Sequence, residues 1–224
     1  GNNGYSGYSN LVQRTDLLDH KLNQDPDEFY QEHVQTIIES TKFEQWDGIE
    51  QNIPSSFILV PLQVESDTVM KLKNVQTIAI IDYAVKVAKA LGTSVVIKLH
   101  PKEKQVTRTK KYAVHLQNVQ KAFISQGNIQ TLLDRSIAVF VVNSGVGFEA
   151  LCRHKPVFTF GQTDYHHITY HNSRNVNQMV QAIRNHDTSN YNVFLQNFWN
   201  ELIDFRFEKE AQNKIVNKVM SWQQ

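Results

Sequence analysis

Val141-Val142-Asn143-Ser144-Gly145-Val146-Gly147-Phe148-Glu149-Ala150-Leu151 is the stretch on which the reading of this chain turns. Ahead of it runs Ile137-Ala138-Val139-Phe140, which joins Val141-Val142 in an unbroken apolar run rich in β-branched residues. Such a run reads as a strand buried on both faces of a parallel sheet. Behind it, apolar residues from Val146 to Leu151 recur at helical spacing, and Asn143, Ser144 and Gly145 lie between. These small residues turn a chain sharply and cap helices. The unit is strand, tight turn, helix, and its turn lies at the carboxyl end of a strand, where open α/β sheets bind ligands. The start of the following helix suits an anion. An ordinary βα turn with a serine cap is the plain alternative.

Working outward, the same alternation recurs. Phe57-Ile58-Leu59-Val60-Pro61-Leu62 reads as a buried strand, followed by an amphipathic helix from Val75 to Leu91 that ends at Gly92. Ser94-Val95-Val96-Ile97-Lys98-Leu99 is a second strand closed by His100-Pro101, and a helix is expected from Lys110 to Ser125. Ile129 to Leu132 reads as a short strand with a helical turn at Asp134-Arg135, and Pro156 to Gly161 as another strand. A polar, histidine-rich loop precedes a helix over Asn175 to Arg184, and two more helices are expected over 192–205 and 209–222. Asp25-Pro26 marks a helix start, with the helix running to about Ser40. Strands alternating with helices give an α/β fold: a Rossmann-like parallel sheet with helices on both faces and helical extensions at both ends. The expected division is 1–50 as an N-terminal loop and helix, and 51–224 as a Rossmann-like domain with C-terminal helices.

Composition narrows the function. The chain has 224 residues, 41% hydrophobic, with a net charge of +1. That balance gives no electrostatic footprint for nucleic acid. No apolar run is long enough to cross a bilayer. The single cysteine, Cys152, excludes an internal disulfide and fits a small core residue and a reducing, cytoplasmic setting.

The strand ends carry a consistent polar set: Gln63, Glu65 and Asp67; Lys98, His100, Pro101 and Lys102; Asn143, Ser144, Gly145 and Glu149; then Gln162, Asp164, Tyr165, His166 and His167. Each has a bland alternative. Asp67 caps a helix or serves as a nucleophile. Pro101 confines His100 to an extended backbone, which aims its imidazole, and alternation puts it on the face of Lys98. Glu149 is a surface residue favoured in the first helical turn, or an acceptor for ribose hydroxyls. Adjacent His166 and His167 should face opposite ways, and no spaced Cys or Glu completes a ligand set, so no metal is expected.

These segments resemble the capsule polysaccharide biosynthesis proteins, the β-Kdo glycosyltransferases and their relatives. Phe57 to Leu62 followed by Gln63-Val64-Glu65-Ser66-Asp67 looks like their strand-PLQ-x-x-x-D element, and Lys98-Leu99-His100-Pro101 is similar to K-x-H-P. Asn143-Ser144-Gly145-Val146-Gly147-Phe148-Glu149-Ala150-Leu151, then Lys155-Pro156-Val157 and Gly161, resembles N-S-x-x-G-x-E-A-L … K-P-V … G. Gly4-Tyr5-Ser6-Gly7-Tyr8-Ser9 resembles their glycine-serine-aromatic loop, whereas Tyr165-His166-His167-Ile168 departs from their pattern. The resemblance implies the donor domain of a GT-B enzyme, needing no cofactor and transferring Kdo or a related 2-ulosonic acid from a CMP-activated donor to a glycan or glycolipid, with retention. It implies catalytic roles for Asp67 as nucleophile and His100 at the phosphate. It implies nucleotide or substrate contacts for Gln63, Lys98, Pro101, Lys102, Asn143, Ser144, Gly145 and Glu149. A second domain or partner chain, and peripheral association with the inner face of a bacterial inner membrane, belong to the same expectation. Two readings stand beside it: a non-catalytic GT-B-like binding module, and a GT-B enzyme using a UDP-sugar.

Overall fold

In the computed structural model the described residues are 6–19, 25–34, 53–103 and 105–201. Six parallel strands form one sheet: β1 (Phe57–Pro61), β2 (Ser94–Lys98), β3 (Phe123–Ser125), β4 (Ser136–Val141), β5 (Val157–Thr159) and β6 (Tyr170–His171). Their order is β3-β2-β1-β4-β5-β6. The order reverses between β1 and β4, which makes the crevice above those two strands the switch point where such sheets take ligands. Leu59 pairs with Val96 on one side and Val139 on the other, so the central strands are in register at mid-sheet.

Strand residues alternate between two apolar layers. Phe57, Leu59, Val96, Val139 and Val141 face one, and Ile58, Val60, Val95, Ile97 and Phe140 face the other. All are essentially inaccessible. At roughly 25 cal/mol per Å² of apolar surface, these paired layers are the main favourable contribution to folding. The second layer is covered by α2 (Thr77–Leu91), α3 (Arg108–Asn118) and, through Met179 and Val180, by α6 (Val176–Arg184). The first is covered by α4 (Ile129–Arg135), α5 (Gly145–Leu151) and α7 (Tyr191–Glu201). The short helix α1 (Pro26–Phe29) and the 3-10 turns before it add Leu11, Leu17 and Phe29 to that same layer.

Local signals account for most boundaries. Asp25 accepts hydrogen bonds from the N–H groups of Asp27 (2.8 Å) and Glu28 (3.3 Å), with Pro26 in the first turn of α1. The helix expected to reach Ser40 passes into a wider π turn over Tyr30–Val34; its remainder lies outside the described residues. Gly92 closes α2 in the left-handed conformation, φ +68°. The helix expected over 209–222 and most of the 43–56 connector also lie outside the described residues.

Three expectations are overturned. The helix expected through Ser125 ends at Asn118, where Gln120 turns left-handed (φ +56°) and sends Phe123–Ser125 into the sheet as β3. The strand expected at Ile129–Leu132 is helix α4. Asn128 caps it, and Ile129, Leu132 and Leu133 bury one helical face. The histidine-rich loop contains a 3-10 turn (His166–Ile168) and the edge strand β6. In that turn the His166 and His167 rings lie 4.1 Å apart, so they do not face opposite ways.

Candidate functional site

Ladder-type hydrogen bonds continue past the last residues of β1 and β2. Leu62 N donates to Lys98 O (2.9 Å), and Leu99 N donates to Ser125 O (3.1 Å). Above β1 and β4, Gln63 and Asn143 clasp one another. Gln63 Nε2 donates to Asn143 Oδ1 (3.1 Å), and Asn143 N donates to Gln63 Oε1 (3.3 Å). Asn143 Nδ2 also donates to Val69 O (2.8 Å) and Gln162 O (3.3 Å). This buried clamp ties three strand-end loops together.

His100 is half-buried at the tip of the loop after β2. Its Nδ1 accepts the backbone N–H of Lys102 (3.1 Å). An acceptor nitrogen carries no proton, so the neutral ring holds its proton on Nε2. Burial, then the charges of Lys102 and Lys98, holds the imidazole below its ordinary range. Lys98 is 7% exposed, and its Nζ donates to Gln126 O (3.4 Å).

Across the crevice, Ser144 caps α5, its hydroxyl accepting from Val146 N (3.2 Å). Its carbonyl accepts from Gly147 N (2.9 Å) and from the hydroxyl of buried Tyr165. A side-chain carbon at position 147 would collide with that hydroxyl, which explains the second glycine of the turn by close packing. Glu149 lies in the second turn of α5, so the dipole argument for its placement falls away; the field acts within the first turn. Its Oε2 accepts from Gln130 Nε2 (2.9 Å).

Two cavities meet at the His100 loop, and Leu62, Lys98, Leu99, His100 and Pro101 line both. The smaller, about 300 Å³, adds Gln130, Ser144, Gly145 and Glu149. The larger, about 620 Å³, opens on the α2–α3 side and adds Gln63, Glu65, Glu103 and Lys110. Glu103 is fixed there by the N–H groups of Glu65 (3.1 Å) and Gln105 (3.0 Å).

Of the residues picked out in sequence, Lys98, His100, Pro101, Ser144, Gly145 and Glu149 therefore line one cavity. Gln63 lines the larger cavity, and Asn143 is spent on the clamp. Lys102 is exposed and acts on the His100 ring through its N–H and its charge. Asp67 is exposed and lines neither cavity. It caps the 3-10 turn Thr68–Leu72, accepting from Val69 N (3.3 Å). Its carboxylate still acts on the His100 imidazole, raising its pKa weakly. Sequence reasoning missed Gln130 and Arg153, and it placed Tyr165 among the strand-end polar residues without its contact to Ser144. Gln130 lay in a presumed strand, and the other two act through contacts between elements. Cys152 is fully buried, its thiol pushed up to about 12 by burial.

Along the β5–β6 edge several polar groups bond one another, while His167 Nε2 is buried with no hydrogen-bond partner among the described residues. Asn172 Nδ2 donates to His171 Nε2 (2.7 Å), so the ring proton sits on Nδ1, facing Thr159 Oγ1 (3.0 Å). Thr159 meets Thr169 (2.7 Å), whose hydroxyl donates to His166 O (2.9 Å). Burial and the neighbouring His166 and His167 lower His171 to about 4. Among the described residues no group of three or more His, Cys, Asp or Glu is placed to hold a metal ion, and no helix is long and apolar enough to cross a membrane.

Residues 5–205 match the sequence model of the capsule polysaccharide biosynthesis proteins. No curated protein matches the chain by sequence. Among solved structures the chain is similar to the KpsC β-Kdo 2,4 transferase of Thermosulfurimonas dismutans, at TM-score 0.53 and 15% identity, over 80% of this chain and 58% of that one. That likeness supports the α/β Rossmann-like fold. The KpsC β-Kdo 2,7 transferase of the same organism follows at TM-score 0.46 and 20% identity, over 69% of this chain and 47% of that one. The UDP-GlcNAc 2-epimerase of Methanocaldococcus jannaschii gives TM-score 0.42 and 12% identity, over 85% and 52%. The chain thus spans about half the length of these proteins.

Proposed function

The chain belongs to the capsule polysaccharide biosynthesis proteins, and from that premise we propose that it binds the donor of a glycosyltransferase. The donor is a CMP-activated 2-ulosonic acid of the Kdo type, and the acceptor is a glycan or glycolipid. One observation carries the reading: the Lys98–Pro101 loop and the Ser144–Glu149 turn, far apart in sequence, face each other across one cavity at the switch point of the sheet. A nucleotide placed there sets its phosphate between the His100 Nε2–H and Ser144, with the Lys98 ammonium close by, and its ribose against Glu149.

The chemistry follows from charge. As the bond from the ulosonic acid C2 to the phosphate oxygen breaks, negative charge collects on CMP. Donors already aimed at that phosphate stabilise it without rearranging. Positive charge collects at C2, and the Asp67 carboxylate bonds to it, giving a glycosyl-enzyme ester. An acceptor hydroxyl then displaces the Asp67 carboxylate at C2, its proton passing to water, and the two inversions leave the configuration retained. For this step Asp67, which lines neither cavity, has to come to C2 when donor and acceptor are in place; its exposure and its electrostatic effect on the His100 imidazole support that reading.

Calorimetry tests the reading. CMP should bind, with UDP weaker by about tenfold or more. His100→Ala should lose CMP, while Asp67→Ala should keep CMP and lose turnover of CMP-Kdo. Absence of CMP binding, or equal affinity for UDP, overturns it.

A further inference from the structure

Between α4 and the α5 turn, Arg153, Gln130 and Glu149 close a ring of hydrogen bonds, and Asp134 is joined to it through Arg153. Gln130 and Asp134 stand one helical turn apart on α4, and Glu149 and Arg153 stand one turn apart on α5 and just beyond it. Arg153 Nε donates to Asp134 Oδ1 (2.7 Å), its Nη1 to Glu149 O (3.1 Å) and its Nη2 to Gln130 Oε1. Gln130 Nε2 donates in turn to Glu149 Oε2 (2.9 Å). The Arg153 side chain is only 6% exposed, so this anchor is shielded from water.

The network has a direction. A guanidinium offers donors and no acceptor, so it selects the carbonyl end of the Gln130 amide. The NH₂ end is thereby forced toward Glu149, and the amide cannot flip without losing both bonds. A glutamate on a short helix would otherwise sample several rotamers and lose that freedom on binding. Here its carboxylate is already fixed on the wall that also carries Ser144 and Gly145.

We propose that Gln130, oriented by Arg153, is a positioning residue that fixes the Glu149 carboxylate against the ribose diol and so sets a preference for ribonucleotides over deoxyribonucleotides. The proposal rests on the nucleotide-donor reading above. A diol donates two roughly parallel O–H bonds, and a carboxylate accepts both only when its plane is set. Loss of one hydrogen bond to a charged acceptor weakens binding by about tenfold or more.

The test titrates the wild-type chain, Gln130→Met and Gln130→Ala with CMP and with 2′-deoxy-CMP, alongside thermal unfolding. Methionine keeps the volume and removes the hydrogen bonds. The wild type should prefer CMP by about tenfold, and Gln130→Met should bring the two nucleotides within about twofold with 2′-deoxy-CMP affinity unchanged, the unfolding midpoint falling modestly as the shielded Arg153 loses an acceptor. Gln130→Ala gives the same readout should the methionine variant fold poorly. A variant that keeps the wild-type ratio, or one that weakens both nucleotides equally as its midpoint drops, overturns the positioning role and leaves the functional reading standing. A wild type that binds CMP and 2′-deoxy-CMP equally overturns the proposal alone; a wild type that binds neither overturns both.

Discussion

The rim over β1, β2 and β4 and the edge at β5–β6 are both polar, and both carry histidines, yet their polar groups are disposed differently. At the rim, His100 uses Nδ1 within its own turn and stands on the wall of a cavity shared with Ser144 and Glu149. At the edge, His171 has both nitrogens bonded, in a chain running from Asn172 through Thr159 and Thr169 to the His166 carbonyl. Histidine content therefore says little about function. What distinguishes the rim is that its side chains are held from behind and line the two larger cavities, whereas at the edge His171, Thr159 and Thr169 bond one another and His167 Nε2 is buried with no hydrogen-bond partner among the described residues.

The sharpest way to break the rim is from beneath. Gly147→Ala drives a methyl into the Tyr165 hydroxyl that holds the Ser144 carbonyl. Overpacking of this kind costs about 1–3 kcal/mol, so a clear drop in denaturant midpoint and loss of CMP binding are expected. An unchanged midpoint would mean that Tyr165 moves aside freely.

Next in size is the pH response of the rim. The His100 imidazole lies below its ordinary range in the free protein, and an anionic phosphate beside it raises its pKa. Binding then takes up a proton. CMP affinity should be greatest below the free-state pKa and fall as pH rises through the bound-state value, a change of about tenfold that is absent in His100→Gln. A flat profile places the phosphate elsewhere.

The edge responds with the opposite logic. His171 titrates at about 4 in the folded chain, and near 6.5 when unfolded. Between those values the unfolded chain binds more protons, so this histidine's contribution to stability is lost as pH falls from about 6.5 toward 4. The midpoint-against-pH curve should flatten in His171→Gln, with no change in CMP affinity at pH 7. Smallest of all, the Cys152 thiol, raised to about 12 and fully buried, should resist alkylation in the folded chain with or without CMP.

Much of this contrast was legible before any coordinates. The β1, β2 and β4 runs are unbroken and β-branched, so their burial on both faces was plain, and the strand-end rule then gathered Lys98, His100, Ser144 and Glu149. The edge was not legible. β6 is two residues of mixed character, and nothing in Tyr170-His171 announces a strand. β3 was hidden behind a helix that stops at Asn118 for want of a glycine signal, since Gln120 supplies the left-handed turn. Gln130 and Arg153 were invisible because their roles exist only where α4 meets α5. Asp67 was read as cap or nucleophile. The structure displays the cap.

Imidazole ¹⁵N NMR of the labelled chain, recorded before and after addition of CMP, addresses the contrast most directly. The account predicts that the His100 Nε2 and Nδ1 resonances move on titration, whereas those of His166 and His171 stay in place. Stationary His100 signals under saturating CMP, or shifts confined to the β5–β6 edge, would contradict it.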